Sequence, residues 1–241
     1  MRHAPPYGFK FGTFSVGELR AKRANATMPA VRKYDSCAVV GSSGTLLLAE
    51  LGSEIDAHSA VWRINGGRAH PDFAAVAGMR TTIRVFSSPH AASDWSFKEQ
   101  QLYPNTTVLV VCDRPFVYSC QNVLYATPKP TWHGINPIFY AAVRRTVDKR
   151  KGAIPLTGVT AVALAARMCN QVDVYGMSTM QSPEACFYYW HAKKGGRCNL
   201  RQGGTDAAYH RRPGDAAFHD FRGNAQALLR WNATGRIRLR G

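Results

Sequence analysis

None of the six cysteines forms a C-x-x-C pair, which removes zinc-ribbon and thioredoxin-type readings. Neither D-x-D nor H-E-x-x-H occurs, so no motif recruits a divalent metal and no metal site is expected. The G-x-S-x-G elbow of serine hydrolases is missing too. So is G-x-G-x-x-G, and no acid closes the second expected strand to hold a ribose. A hydride-transferring enzyme is therefore disfavoured, and no cofactor is expected. No apolar run approaches the ~18 residues of a membrane-spanning helix. The opening MRHAPPYGFKFGTF is basic but has no apolar core for a signal peptide. A membrane anchor is thus not expected within this sequence. Acids are scarce: 31 Lys and Arg against 15 Asp and Glu give a net charge of +16. That balance favours anionic partners, whether nucleic acid, membrane surface or phosphate- and carboxylate-bearing ligands, and is equally the mark of a solvated arginine-rich surface. The basic residues are dispersed. Their densest run, Arg144, Arg145, Lys149, Arg150 and Lys151, lacks the interleaved aromatics of a single-strand platform, so nucleic acid is not the expected partner.

What is present fits one α/β domain. The 241 residues are 45% apolar, enough for a sizeable core. Three glycosylation sequons stand at Asn25-Ala-Thr27, Asn105-Thr-Thr107 and Asn232-Ala-Thr234, against about one expected by chance. With an even cysteine count they lean toward an oxidising compartment. Residues 1–35 read as an irregular, basic lead-in, and residues 36–241 as the folded domain. Cys37-Ala-Val-Val40, then Gly41-Ser-Ser-Gly44, then helix-compatible spacing from Thr45 to Ile55 make a strand, glycine turn and helix, the opening of a Rossmann-like unit. Val61–Ile64, Thr81–Phe86, Thr107–Cys112, Val172–Tyr175 and Arg236–Leu239 follow as strands. Ile138–Lys149, Val159–Cys169 and a stripe on Phe221, Ala225, Leu228 and Leu229 read as helices. Residues 113–136 and most of 178–217 read as loop. The expected fold is a mostly parallel central sheet with helices on both faces, whose ligands sit at the carboxyl ends of the strands. The turns after Val40, Ile64 and Phe86 and the helix start at Thr157 should then converge on one cleft.

Two of those turns suit an anion. Gly41-Ser-Ser-Gly44 lets backbone amides approach a phosphate, and Thr157-Gly158 repeats the device at a second helix start. Together they point to a nucleotide-linked donor. Eight histidines are scattered, and composition alone nominates none of them as a base.

Longer stretches carry a resemblance. CAVVGSSGTLLLAELGSEIDAHSAVWRINGG (37–67) is similar to the long sialylmotif of animal-type sialyltransferases, and PLTGVTAVALAARMCNQVDVYG (155–176) to their short sialylmotif. Cys186-Phe-Tyr-Tyr-Trp190 resembles the third motif, and His219 with a following helix and Gly235 resembles the last. All four occur in family order. The CAVV start, LG-x-EID-x-H, TTIR (81–84) and C-x-QVD-x-Y (169–175) resemble the β-galactoside α2,6 group.

The resemblance implies a metal-independent, Rossmann-like fold of the GT-A type. It implies CMP-sialic acid as donor, a terminal galactose or N-acetylgalactosamine of a glycoprotein or glycolipid as acceptor, and the Golgi lumen as location. Cystines would join Cys37 to Cys169 and Cys186 to Cys198; Cys112 and Cys120 would be either a local bridge or two buried thiols. The base taking the acceptor hydroxyl's proton would be His219, with His210, preceded by Tyr209, as the rival. The helix-breaking Arg211-Arg-Pro-Gly214 counts against that rival. The donor would be held by Ser42, Ser43, Gly44, Asn65, Ser87, Thr157 and Gly158 and by hydroxyls of Tyr188 or Tyr189. Departures from the family pattern are Ser42 for the usual Asn, His58-Ser59 for His-Asp, Ser87 for a donor-contacting Asn, Phe187 for a leading His or Tyr, and Asn224 for a glutamate. They motivate an alternative, a weak or inactive glycan-binding relative.

Overall fold

The computed structural model describes residues 7–9, 33–87, 105–111, 132–147, 154–177, 179, 184–192, 198, 205 and 219–240. Among the described residues eight strands make one sheet: β1 (Tyr7–Phe9), β2 (Tyr34–Val40), β3 (Ala60–Ile64), β4 (Ile83–Phe86), β5 (Thr107–Val110), β6 (Trp132–Ile135), β7 (Cys169–Tyr175) and β8 (Arg238–Arg240). Their spatial order is β1-β6-β5-β4-β3-β2-β7-β8. Strands β2 to β8 are parallel, and β1 closes one edge antiparallel to β6. The chain lays down β2 to β6 in one direction, then returns to place β7 and β8 on the other side of β2. The order reverses between β2 and β7, where parallel sheets open a ligand crevice.

Period-two alternation sorts the side chains to two faces. Cys37, Val39, Trp62, Ile64, Ile83, Val85, Val172 and Val174 join the larger core under α3 (Pro137–Val147), α4 (Thr157–Met168) and α5 (Phe221–Ala233). Ala38, Val40, Val61 and Tyr175 join a smaller core under α1 (Gly52–Asp56) and α2 (Ala74–Ala77). That second face also carries charge. Arg63 and Arg84, both fully buried, sit in register on β3 and β4. Arg63 donates to the carbonyls of Ala77, Gly78 and Arg80. Arg84 Nη1 donates to the carbonyls of Asn65 and Gly67, both at 2.7 Å. Asp173 on β7 accepts from His58, Gln171, Arg238 and Arg240, which pins the edge strand β8.

Four expectations need correction. The helix expected over Thr45–Ile55 is a 3-10 turn (Gly44–Leu48) followed by the short α1. Ala49 is extended between them, and Gly52 sits so close to Ala74 that a Cβ there would lie 1.8 Å from its carbonyl oxygen. The loop expected over 113–136 contains β6, whose Trp-His-Gly-Ile has no alternating pattern and is held by pairing with β5 and β1. The lead-in expected to be irregular supplies β1, and β2 opens at Tyr34, two residues before the expected boundary. Cys169, expected to end a helix, opens β7.

The expected cystines Cys37–Cys169 and Cys186–Cys198 are both formed. The first spans 132 positions and ties β2 to β7. Cys112, Cys120 and His210 lie outside the described residues. Among those residues no helix is long and apolar enough to cross a membrane.

Candidate active site

At the carboxyl end of the sheet the strand ends and two helix starts surround a cavity of about 410 Å³. Gly41, Ser42 and Ser43 follow β2, Asn65 and Gly66 follow β3, and Ser87 follows β4. Thr157, Gly158 and Val159 open α4, and Gly176 and Met177 follow β7. The expected convergence of these turns on one cleft is what the backbone does.

The β2 and β7 turns touch. Gly41 N–H donates to the Tyr175 carbonyl at 2.7 Å and Ser43 N–H to that of Gly176 at 2.9 Å. A Cβ on Gly41 would lie 2.2 Å from the Gly176 carbonyl oxygen, and Gly176 itself has φ +59°, so both positions require glycine. This closeness changes one expectation. The Ser43 and Gly44 amides, read from sequence as anion donors, serve the protein instead, with Gly44 N–H on the Cys186 carbonyl at 2.6 Å. Gly44 is packed against Cys186 and does not line the cavity. Ser42 and Ser43 do line it, and the Ser43 hydroxyl accepts from Thr45 N–H, which directs its own proton elsewhere.

The start of α4 meets the anion expectation more fully. Leu156 is its N-cap and supplies no capping side chain, and no acid stands in the first turn. The Thr157, Gly158 and Val159 amides therefore face the cavity end of a twelve-residue helix without intrahelical partners, beside the positive end of its dipole.

Asn65 has φ +46°, the left-handed conformation that asparagine tolerates. Its Oδ1 accepts from Ser87 N–H at 2.8 Å, joining the β3 and β4 turns. Tyr188 lines the cavity and stacks on Trp190, ring centroids 4.7 Å apart and 14° from parallel. Tyr189, offered by sequence as the alternative hydroxyl, is fully buried in the smaller core with its hydroxyl on the Arg68 carbonyl. It does not reach the cavity.

His219 lines the same cavity, just before α5. It pairs with Ile154 in a short parallel bridge, and its Nδ1 is 3.1 Å from the Ile154 carbonyl oxygen. A carbonyl only accepts, so Nδ1 carries the proton and the neutral ring has its basic lone pair on Nε2. Five residues on, the buried Asn224 accepts from Leu156 N–H at 2.9 Å. No Asp, Glu, Lys or Arg is among the described residues lining this cavity, although the chain carries +16 overall. An acid with a shifted pKa lies elsewhere: on the smaller-core face burial pushes the Asp173 carboxyl up, and hydrogen bonds from His58, Arg240 and Arg238 outweigh it and hold the group below its ordinary value.

Sequence reasoning missed Tyr140, Ile154 and Trp190. Trp190 stood in the quoted Cys186–Trp190 run and was passed over. Tyr140 and Ile154 carry no motif and enter only because α3 and the approach to α4 fold beside the strand ends.

The model of glycosyltransferase family 29 (sialyltransferase) matches residues 4–118 and 116–203. The chain belongs to that family. Human β-galactoside α2,6-sialyltransferase 1 is 28% identical over 178 residues, covering 65% of this chain and 43% of the relative. Sialyltransferase-like protein 1 of Arabidopsis thaliana is 30% identical over 149 residues, 61% of this chain and 28% of the relative. The chain thus spans less than half the length of these curated relatives. Among solved structures, a mammalian sialyltransferase aligns with TM-score 0.60 at 23% identity, covering 86% of this chain and 69% of that one. The sialyltransferase CST-II, solved with a trisaccharide acceptor and CMP, aligns with TM-score 0.50 at 14% identity over 85% of this chain and 80% of its own. These likenesses show the Rossmann-like, GT-A-type sheet. The family match ends at 203, so His219 joins the site through the fold and not through the match.

Proposed function

We propose that this family 29 protein transfers sialic acid from CMP-sialic acid to a hydroxyl of a terminal galactose or N-acetylgalactosamine, with inversion and without a metal. One observation carries the reading: the uncapped start of α4 and the Nε2-basic imidazole of His219 share one cavity with the serine turn after β2. CST-II, whose fold this chain shares, was solved with CMP and a glycan acceptor, which supports the same pair of substrate classes here.

In this mechanism the acceptor oxygen attacks the anomeric carbon from the face opposite CMP. The carbon–oxygen bond to phosphate breaks, and its electron pair leaves with CMP. His219 Nε2 takes the hydroxyl proton. Negative charge developing on the phosphate meets the Thr157 and Gly158 amides, Ser42, the Ser43 hydroxyl and the Tyr188 hydroxyl, neutral donors already in place. Asn65 and Ser87 hold the nucleotide side. Phe187 lines the cavity and brings no hydrogen bond to the phosphate from its ring. Asn224 still accepts a bond where the family carries glutamate, which counts against an inactive relative. Two cystines support an oxidising compartment, in keeping with the Golgi lumen.

The test is transfer from CMP-sialic acid to a galactoside in the presence of EDTA. His219→Ala is expected to lower kcat at least ~10²-fold, the lower range for removing a positioned base. Undiminished turnover in that variant removes His219 as base, and loss of transfer on adding EDTA removes the metal-free mechanism.

A further inference from the structure

The segment Ile154–Leu156 is gripped at both ends by the turn that carries His219. From one side His219 Nδ1–H donates to the Ile154 carbonyl at 3.1 Å. From the other, Leu156 N–H donates to Asn224 Oδ1 at 2.9 Å. Between them stands Pro155, which has no N–H to offer. The remaining half of the Asn224 amide is also engaged: Nδ2 donates to the Asp220 carbonyl at 2.7 Å, inside its own turn. Asp220 in turn caps α5 by accepting from Gly223 N–H at 2.9 Å. Gly223 seats that turn tightly, since a Cβ there would lie 2.2 Å from the Val147 carbonyl oxygen.

We infer that Asn224 is a positioning residue, a clasp that holds the general base His219 and the anion-receiving start of α4 at one fixed separation. The inference rests on the proposed use of this cavity for an anionic donor. Its physical basis is the double demand on one buried side chain. Its Oδ1 accepts from the Leu156 N–H, and its Nδ2 joins its own backbone N–H in donating to the Asp220 carbonyl; a primary amide both accepts and donates. A carboxylate accepts but does not donate when ionised, and an apolar group does neither. Asn224 is 1% exposed, and without its side chain the half-buried Leu156 N–H loses its acceptor. Neutrality matters as well. Asn224 lines a cavity whose described walls hold no carboxylate, and an acid there would face the donor's phosphate. Where the sialyltransferases it resembles carry glutamate, this chain keeps the acceptor, gains a donor and removes the charge.

Two measurements on the whole chain decide it, with Asn224→Ala and Asn224→Asp as variants. Hydrogen exchange reads the clasp itself, independently of activity. The Leu156 amide is expected to be protected in the wild type, to exchange at least ~10-fold faster in Asn224→Ala, and to stay largely protected in Asn224→Asp, which still accepts. Amides of the distant strand β2, such as Val39, serve as the control and should not change. Kinetics and CMP titration read the consequence. Asn224→Ala should lower kcat about 10–100-fold, the scale of an ångström-sized misplacement. Asn224→Asp should chiefly raise the donor KM and weaken CMP. Equal Leu156 exchange in wild type and Asn224→Ala overturns the clasp. A lowered melting temperature with unchanged kcat and CMP affinity overturns the positioning role and leaves Asn224 a packing residue. A wild type that binds no CMP and transfers nothing overturns the functional reading, and the Leu156 exchange still decides the clasp.

Discussion

Placing an acid at the start of α4 should push stability and ligand binding in opposite directions. Thr157 is the first residue of that helix, its N-cap Leu156 contributes no side chain, and no acid occupies the first turn. In Thr157→Asp a carboxylate meets the positive end of the dipole, an interaction worth about 0.3–1 kcal/mol. At about 2–4 °C per kcal/mol for a chain of this size, the melting temperature should rise by roughly 1–4 °C. The same carboxylate meets a bound phosphate as a like charge. At roughly 6 Å and an effective dielectric between water and a protein surface, the repulsion is about 0.7–3 kcal/mol per charge pair. The CMP dissociation constant should therefore rise by about 3–150-fold. Thr157→Ser, which retains the hydroxyl and the neutral charge, should bind CMP nearly as the wild type does. Calorimetric titration with CMP beside thermal melts of the free proteins separates the two effects. A Thr157→Asp protein that melts higher and binds CMP as tightly as wild type would refute the assignment of α4 as the phosphate site.

The two adjacent tyrosines should behave differently. Tyr188→Phe should raise the donor KM several-fold with little change in melting temperature, because Tyr188 lines the cavity. Tyr189→Phe should cost about 0.5–1.5 kcal/mol of stability by removing the hydrogen bond from its buried hydroxyl to the Arg68 carbonyl, with donor KM unchanged. Matching effects of the two on KM would contradict the separation. On the other face, Asp173→Asn should lower stability at pH 7 by about 1–3 kcal/mol, less than a fully buried pair because Arg238 and Arg240 are half-exposed and regain water. The folded Asp173 carboxyl is held below its ordinary value, so its contribution is complete above the unfolded value near 4 and is lost as pH falls through the folded one. The gap between variant and wild-type melting temperatures should accordingly narrow below about pH 4. A gap unchanged from pH 7 to pH 3 would show that the carboxylate's charge is not what binds β8.

Local pattern was enough for most of the parallel sheet. Cys37–Val40 and Thr107–Val110 announce buried strands through unbroken small and β-branched runs, and Ala-rich Thr157–Met168 announces a helix, because burial on both faces demands apolar residues at every position. Where a strand depends on its neighbours the pattern is silent. Trp132–Ile135 extends because β5 and β1 offer it hydrogen bonds, and Tyr7–Phe9 because β6 does. The expected Thr45–Ile55 helix is in two short pieces that pack on different neighbours, Gly44 on Cys186 and Gly52 on Ala74.

The candidate site divides the same way. Motif order by itself placed Ser42, Ser43, Asn65, Ser87, Thr157, Gly158, Tyr188 and His219 among the chemistry-bearing residues, and all of them line the cavity. Only the three-dimensional fold separated Tyr188 from Tyr189 and removed Gly44 by bringing Cys186 against it. It also brought in Ile154, Tyr140 and Trp190, and it gave Asn224 a backbone partner 68 positions away. Backbone chemistry near a glycine or a helix start is local and therefore legible in sequence. Which amide is already taken by a carbonyl, and which ring nitrogen is left basic, depends on partners that arrive from elsewhere in the chain.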